Sequence, residues 1–295
     1  MKKIVVFGGA GLVGSRFIEL NKNNCDIIAP SAKEIDILSK ESLIKLAEKE
    51  NPDYLINFAA YTNVEEAEED KGNKDGLCYQ VNVIGAKNVA EACKKINKRL
   101  IHISTEYVFD GTKAESPYTE EDKPNPINWY GQTKLIGEQM VLEAGAEVAI
   151  ARISMPFSAH FELKKDVARF FLEQLKAGNQ IKAIADQRIT PTLVDDIVNA
   201  LNVLIENQAS RIYHISSCDS VTPLEFAKIL AEIFNLDYSL VGSMNLEVYN
   251  LTKQARLLPY SWLSPAKFEK EFGDQILHTV EENLAIFKQA IDLIS

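Results

Sequence analysis

A strand that runs without a break into a glycine-rich turn constrains this chain more than any other feature. Lys3-Ile4-Val5-Val6-Phe7 reads as a buried strand and passes directly into Gly8-Gly9-Ala10-Gly11-Leu12-Val13-Gly14. Helical spacing then follows through Phe17, Ile18 and Leu20. Glycine at positions 8, 11 and 14 lets the chain turn tightly, lets backbone N–H groups approach a pyrophosphate, and lets a helix pack closely on its strand. The helix N-terminus beyond the turn favours an anion. Gly8, Gly11, Leu12, Val13 and Gly14 are therefore candidate dinucleotide contacts.

The alternation that follows extends this unit into a doubly wound parallel sheet, an α/β fold of the Rossmann type. Strand patterns lie near 3–7, 25–29, 53–58, 99–104 and 147–153, with helical stretches near 12–20, 39–50, 79–97 and 129–145. Tyr54-Leu55-Ile56 and Val148-Ala149-Ile150 are continuous apolar runs, as required when helices cover both faces of a sheet. Ligands in such sheets bind beyond the carboxyl ends of the strands, where Gly8, Asn57 to Ala60, and Ser104-Thr105 fall. Residues 1–153 are read as the dinucleotide-binding domain, joined by a strand and helix returning from about 186–216. Residues 154–295 are read as a smaller, mostly helical substrate-binding portion.

Composition excludes several classes. With 42 acidic against 32 basic residues the net charge is −10, which argues against a general nucleic-acid binder. The first residues enter a core strand directly, and no apolar run is long enough to span a bilayer. The four cysteines, Cys25, Cys78, Cys93 and Cys218, are scattered without metal-ligand spacing, as expected of reduced thiols in a cytoplasmic protein. No metal site is expected.

Tyr130 and Lys134 stand one helical turn apart, where a phenol and an ammonium can face one reaction centre. Spacing alone proves little, since ten tyrosines in a lysine-rich chain predict roughly one accidental match. Tyr249 and Lys253 supply such a decoy. Context separates the two pairs: the first follows a glycine turn and a Ser104-Thr105 strand end.

Four segments in order carry a resemblance: Gly8 to Gly14; Asn57-Phe58-Ala59-Ala60-Tyr61-Thr62-Asn63-Val64; Ser104-Thr105-Glu106-Tyr107-Val108-Phe109-Asp110-Gly111; and Tyr130-Gly131-Gln132-Thr133-Lys134-Leu135-Ile136-Gly137-Glu138. Together they resemble the extended short-chain dehydrogenase/reductases, and most closely the dTDP-4-dehydrorhamnose reductase branch. The resemblance implies a reductase of a 4-keto-6-deoxy nucleotide sugar. Tyr130 would protonate the substrate carbonyl oxygen, and Lys134 would favour the phenolate and bind the nicotinamide ribose. Thr105 would hold the carbonyl oxygen beside Tyr130, while strand alternation turns Ser104 the other way. Asp36 and Ile37 resemble the pair that edges adenine, and Ala59, Ala60 and Tyr61 the wall of the cleft. Asn82 resembles the family's helix asparagine and reads equally as an ordinary helix polar residue.

The second strand ends Ala29-Pro30-Ser31, without the carboxylate that accepts ribose hydroxyls in NAD sites. Arg16, Ser31 and Lys33 can instead meet a 2′-phosphate, so NADP is favoured over NAD. On the substrate side the pattern departs from the branch. Glu106 replaces an aspartate, and Ile189 replaces the glycine of the Gln187 to Thr192 segment. Arg256-Leu257-Leu258-Pro259 resembles the branch's Arg-Pro pair only loosely, and Met155-Pro156-Phe157-Ser158 lacks its usual aromatic and glycine pattern. Glu106 and Arg188 are the candidate substrate contacts, Arg188 for a nucleotide diphosphate. The expected partner is a nucleotide sugar, with no nucleic acid and no membrane, and with a homodimer as the assembly to test. Two other readings stand beside the reductase. One is a nucleotide-sugar epimerase or dehydratase that retains NAD. The other is a dinucleotide-binding regulatory subunit without turnover, like the regulatory β subunit of methionine adenosyltransferase.

Overall fold

A computed structural model describes residues 1–161, 163 and 165–294. Its contacts divide the chain into two compact units. Met1–Asp110, Lys123–Arg152 and Leu201–Tyr213 make the first; Gly111–Asp122, Ile153–Ala200 and the residues from His214 onward make the second.

In the first unit β1 (Lys2–Phe7) leads through the glycine turn to α1 (Leu12–Asn21), followed by β2 (Cys25–Ile28), α2 (Lys40–Glu50) and β3 (Tyr54–Asn57). Next come α3 (Val64–Glu69), α4 (Leu77–Tyr79), a π-helical segment Gln80–Gly85 and α5 (Ala86–Lys95). Then β4 (Arg99–Thr105), α6 (Trp129–Glu143) and β5 (Glu147–Ile153) follow. The six-stranded sheet runs β10-β5-β4-β3-β1-β2, its last strand β10 (Ile212–Ile215) coming from much later in the chain. The pairs β1/β2, β1/β3 and β3/β4 are parallel. Every residue of β3 is buried, as are Ile4 to Phe7 of β1 and Leu100 to Thr105 of β4. That continuity explains why these strands read as apolar runs rather than as alternation.

The chain leaves β1 toward β2 on one side and returns to the other side of β1 for β3. This switch point sets Gly8 and Asn57 to Ala60 together at the carboxyl ends of β1 and β3, the place where ligands bind in sheets of this kind. Local signals set the helix ends. Ser39 caps α2 with its side chain, and Asn51, at φ 42°, closes the helix by donating its N–H to Ala47 O.

The second unit holds β6 (Pro156–Phe157), α7 (Val167–Lys176), β7 (Ile181–Ile184), β8 (Arg188–Ile189), β9 (Thr192–Leu193) and α8 (Val194–Glu206), the last ending in the first unit. After β10 come α9 (Pro223–Ile233), β11 (Val241–Met244), α10 (Leu246–Asn250), β12 (Tyr260–Ser261), α11 (Ala266–Phe272) and α12 (Val280–Ile294). Three parallel strand pairs, β6/β9, β7/β11 and β8/β12, stand in a region that the sequence presented as mostly helical. Strands of two to four residues are too short for a period of two to show.

Gly111–Asp122 also departs from a division at residue 153. Tyr118 exchanges backbone hydrogen bonds with Trp262 and Ser264, and Glu120 accepts the His214 N–H at 2.8 Å. These contacts tie the segment to later chain rather than to its neighbours in sequence.

The core of the second unit centres on Phe157, fully buried, with the rings of Phe226 and Phe287 each 5.6 Å away. Phe157→Ala is expected to cost about 3–5 kcal/mol of stability, read as a lower denaturation midpoint in urea. Among the described residues no helix is long and apolar enough to cross a membrane.

Candidate active site

Gly8 takes φ +77°, and a Cβ there would lie 2.4 Å from Ala59 N. A Cβ at Gly14 would lie 2.4 Å from Gly8 O, so α1 can begin this close to β1 only with glycine. The helix start also carries no side chain of its own to satisfy the first N–H groups. Gly11 is the N-cap with no side-chain cap, and no acidic residue occupies the first turn. By contrast α2, α6, α7 and α9 are capped by Ser39, Asn128, Asp166 and Thr222. The N–H groups of Leu12 and Val13 thus belong to a helix end whose donors are left for an anion, and this cradle fits a dinucleotide pyrophosphate. Gly14→Ala is expected to weaken NADPH binding at least ~10-fold by isothermal titration, because backbone must shift to admit the methyl group.

Thr105, Tyr130 and Lys134 come together at the end of β4 and the start of α6. Asn128 caps α6 by accepting the Gly131 N–H at 2.8 Å, which places Tyr130 in the first turn and Lys134 one turn later. A Cβ at Gly131 would lie 2.1 Å from Tyr107 O, so the glycine allows the helix to reach the chain just after β4. Tyr130 meets the ring of Tyr107 edge-on at 5.7 Å and hydrogen-bonds Thr105. Tyr130 is 8% exposed and Lys134 2%. The decoy differs in kind: Lys253 lies over the Tyr249 ring at 5.3 Å in a half-buried cation–π contact.

The electrostatics of the pair depart from the sequence expectation. Burial is the main influence on the Tyr130 phenol and raises its pKa; the Glu106 charge and Cys78 add to the rise, and the Thr105 hydrogen bond opposes it. Lys134 donates to Ile103 O at 2.7 Å. Before any ligand arrives, then, the phenol is held protonated, which is the form a proton donor needs.

Burial pushes Lys134 down from 10.5 to about 8, against the upward pull of Glu138 and Cys78. Below about pH 8 the side chain is a cation, and above it the charge is lost. Affinity for NADPH is therefore expected to fall as pH rises through about 8, and Lys134→Met to remove that dependence, both read by fluorescence titration. Stability moves the other way. Between about 8 and 10.5 the unfolded chain binds the extra proton, so this group's contribution grows more favourable as pH rises across that window.

The remaining cofactor candidates lie in α1, between β2 and α2, and just after β3. Ala59 donates its N–H to Asn57 Oδ1 at 3.1 Å, Ala60 follows in the same loop, and Tyr61 donates to Asn82 Oδ1 at 2.9 Å. Asn82, in the π-helical segment, also donates to Thr133 Oγ1 at 3.0 Å. It thereby ties the Ala59 to Tyr61 loop to the helix that carries Tyr130, which favours the site reading of Asn82. Asp36 Oδ1 accepts the Leu38 N–H, and the Asn88 amide donates to Ile37 O and Leu38 O at 3.1 Å each. Sequence reasoning missed Asn88 and Gly131. The available signal was a polar residue on an apolar helix face and a glycine inside a helix.

Arg16 pairs with Glu19 at 2.8 Å. At Ser31, three residues beyond β2, Glu34 curls back so that Oε2 accepts both the N–H and the hydroxyl of Ser31 at 2.8 Å.

Glu106 is buried, and its Oε2 accepts the Thr105 hydroxyl at 2.7 Å. Arg188, in the second unit, pairs with Glu225 at 3.2 Å. Ile189 is buried in β8 with no positive φ, and bridges Val221 in antiparallel fashion. The backbone freedom of the glycine it replaces is not needed here.

The chain matches the family model described as RmlD substrate binding domain over residues 1–291. It is similar to the crystal structure of dTDP-4-dehydrorhamnose reductase from Bacillus anthracis in complex with NADP, at 30% identity and a TM-score of 0.89, covering 98% of this chain and 99% of that one. The dTDP-4-dehydrorhamnose reductase of Burkholderia thailandensis is 33% identical over 76% of this chain and 76% of its own length. The methionine adenosyltransferase 2 subunit beta of Rattus norvegicus is 29% identical over 81% of this chain and 74% of its own length.

Proposed function

This chain belongs to the RmlD substrate binding domain family, within the extended short-chain dehydrogenase/reductases, and on that footing we propose that it reduces the keto group of a 4-keto-6-deoxy nucleotide sugar. The observation that carries the reading is the buried set of Thr105, Tyr130 and Lys134 in the unit that holds the uncapped glycine cradle. A bound reduced nicotinamide supplies hydride to the carbonyl carbon. Gly8, Gly11, Leu12, Val13 and Gly14 hold the pyrophosphate; Asp36 and Ile37 edge the adenine; Ala59, Ala60 and Tyr61 form the wall; Lys134 holds the ribose.

Tyr130 gives its proton to the carbonyl oxygen as the carbon is reduced, and the resulting phenolate is reprotonated from solvent. Its first-turn position on a capped helix fixes the donor in place, which is the main contribution a rigid scaffold makes to such a transfer. Burial of the set excludes water and keeps the phenol neutral until the transfer. We assign residues 154–295 to substrate binding and Arg188 to the diphosphate. Its present partner is an exposed Glu225, and ion pairs of that kind are worth about 0–1 kcal/mol, so a diphosphate can take its place. NADP is the assigned dinucleotide, with NAD also accepted; Glu34 on Ser31 is the group that a 2′-phosphate displaces. The same reading takes the chain as cytoplasmic and homodimeric, the latter open to sedimentation analysis.

The test is oxidation of NADPH and of NADH with a panel of 4-keto nucleotide sugars. Turnover with at least one is expected. Binding of dinucleotide without turnover on any of them would favour the regulatory reading suggested by the subunit beta relative. Dinucleotide that copurifies and cycles without net consumption would favour an epimerase or dehydratase.

A further inference from the structure

Tyr130 is the second residue of α6, so whatever fixes the first turn of that helix also fixes the phenol. Two of the first N–H groups are taken by side chains. Asn128 Oδ1 accepts the Gly131 N–H from within the turn, and Glu68 Oε2 accepts the Trp129 N–H at 2.8 Å from α3, 61 positions earlier in the chain. The first N–H groups of a helix have no partner inside it, so an acceptor brought from another element satisfies one of them and fixes where the helix begins. A carboxylate suits the task, because its charge favours the positive end of the helix and strengthens the bond.

Glu68 belongs to the acidic run Glu65-Glu66-Ala67-Glu68-Glu69-Asp70, yet it differs from its neighbours in direction. Glu66 and Glu69 are exposed, whereas the Glu68 side chain is 13% exposed. The adjacent Ala67 is buried in one cluster with Cys78, Trp129 and Tyr130. α3 therefore holds the start of α6 in two ways, by packing on its first two side chains and by taking its first N–H. Tyr61, just ahead of α3, packs against the same cluster and donates its N–H to Asn82 Oδ1 at 2.9 Å. The segment from Tyr61 to Glu69 thus runs from the cofactor wall to the helix that carries the proton donor.

We propose that Glu68 is a positioning residue for Tyr130: by accepting the Trp129 N–H it sets the first turn of α6, and with it the phenol, relative to the Ala59 to Tyr61 wall. It acts through the helix backbone and is assigned no contact with sugar or dinucleotide. Its other oxygen, Oε1, is held by the exposed Lys71 at 2.5 Å, which steadies the carboxylate from the solvent side. The catalytic meaning of this assignment rests on the reductase reading above; the contact itself does not.

The test separates the acceptor from the charge. Glu68→Ala removes the acceptor, Glu68→Gln keeps an oxygen of the same reach without the charge, and Lys71→Met deletes the lysine while leaving the Trp129 contact. Deuterium exchange of the Trp129 and Tyr130 amides is followed by NMR in the full chain. Exchange is expected to be about tenfold faster or more in Glu68→Ala, and close to the original in the other two variants. Because a displacement of roughly 1 Å costs on the order of 10²-fold in rate, kcat should fall about 10–100-fold in Glu68→Ala, with NADPH affinity within about threefold. Glu68→Gln should restore most of that kcat. Glu68→Met serves as a second variant without an acceptor should the alanine protein fail to fold.

A role in stability alone would lower the urea midpoint and leave kcat of the folded protein as it was. Unchanged amide exchange in the variants without an acceptor would overturn the proposal. So would a glutamine variant that behaves like alanine, or an original kcat in a protein whose amides exchange fast. Should the unchanged chain turn over no keto sugar, the reductase reading fails, and amide exchange still decides whether Glu68 holds the start of α6.

Discussion

Tyr130→Phe is expected to lower kcat by about 10²–10⁴-fold, the usual worth of a positioned general acid, with little change in dinucleotide affinity. The split follows from what the substitution removes. Phenylalanine keeps the ring that packs edge-on against Tyr107 and leaves the Asn128 cap and the glycine cradle untouched. Only the O–H is lost, and with it the proton that goes to the substrate oxygen. Lys134→Met should differ by weakening dinucleotide binding as well, since it deletes the cation beneath the site. Steady-state kinetics with binding measured separately distinguish the two patterns. Unchanged turnover in the phenylalanine variant would refute Tyr130 as the donor.

Glu138→Gln is expected to produce the largest loss of stability of any single change near the site, about 3–5 kcal/mol in chemical denaturation. Glu138 and Arg152 are each 2% exposed in the side chain and meet through two hydrogen bonds, Nε to Oε1 at 2.9 Å and a terminal nitrogen to Oε2 at 2.7 Å. The guanidinium also lies over the Phe109 ring at 5.3 Å. Removing the carboxylate takes a doubly hydrogen-bonded counter-charge from a buried cation, and the cost is more that of the charge's desolvation than of the bonds themselves. The same physics predicts that the double change Glu138→Leu with Arg152→Met is far milder than the single one. Glu138 also helps to keep Lys134 protonated. Its loss should therefore move the pH at which NADPH affinity declines below about 8.

The first half of the fold was legible because its signals are local and repeated. Continuous apolar strands, helical spacing and the glycine turn each specify an element, and the alternation specifies their arrangement. Tyr130 and Lys134 became meaningful only through the other strand ends that reach the same crevice. What stayed hidden depends on contacts between distant positions or on a side chain's direction. Glu34 lies three residues beyond the strand end searched for a carboxylate, and only the turn of the chain brings it back to Ser31. Glu106 read as a lengthened carboxylate facing a sugar; its burial and its bond to Thr105 were not written in any spacing. The influence of burial on Tyr130 and Lys134 was likewise out of reach, because sequence gives a neighbour but not its desolvation. Ile189 shows the converse, a departure from the family pattern that the backbone accommodates without strain.

The central claim is that this chain delivers hydride to a carbonyl carbon and a Tyr130 proton to its oxygen. Transfer of label from NADPH deuterated at the reactive nicotinamide carbon tests it most directly, with the product examined by mass spectrometry and NMR. The account predicts one deuterium on the former carbonyl carbon, with NADPH consumed in equal amount, and a greatly slowed appearance of the same product in Tyr130→Phe. A sugar product formed without deuterium, or formed with no net consumption of dinucleotide, would contradict it.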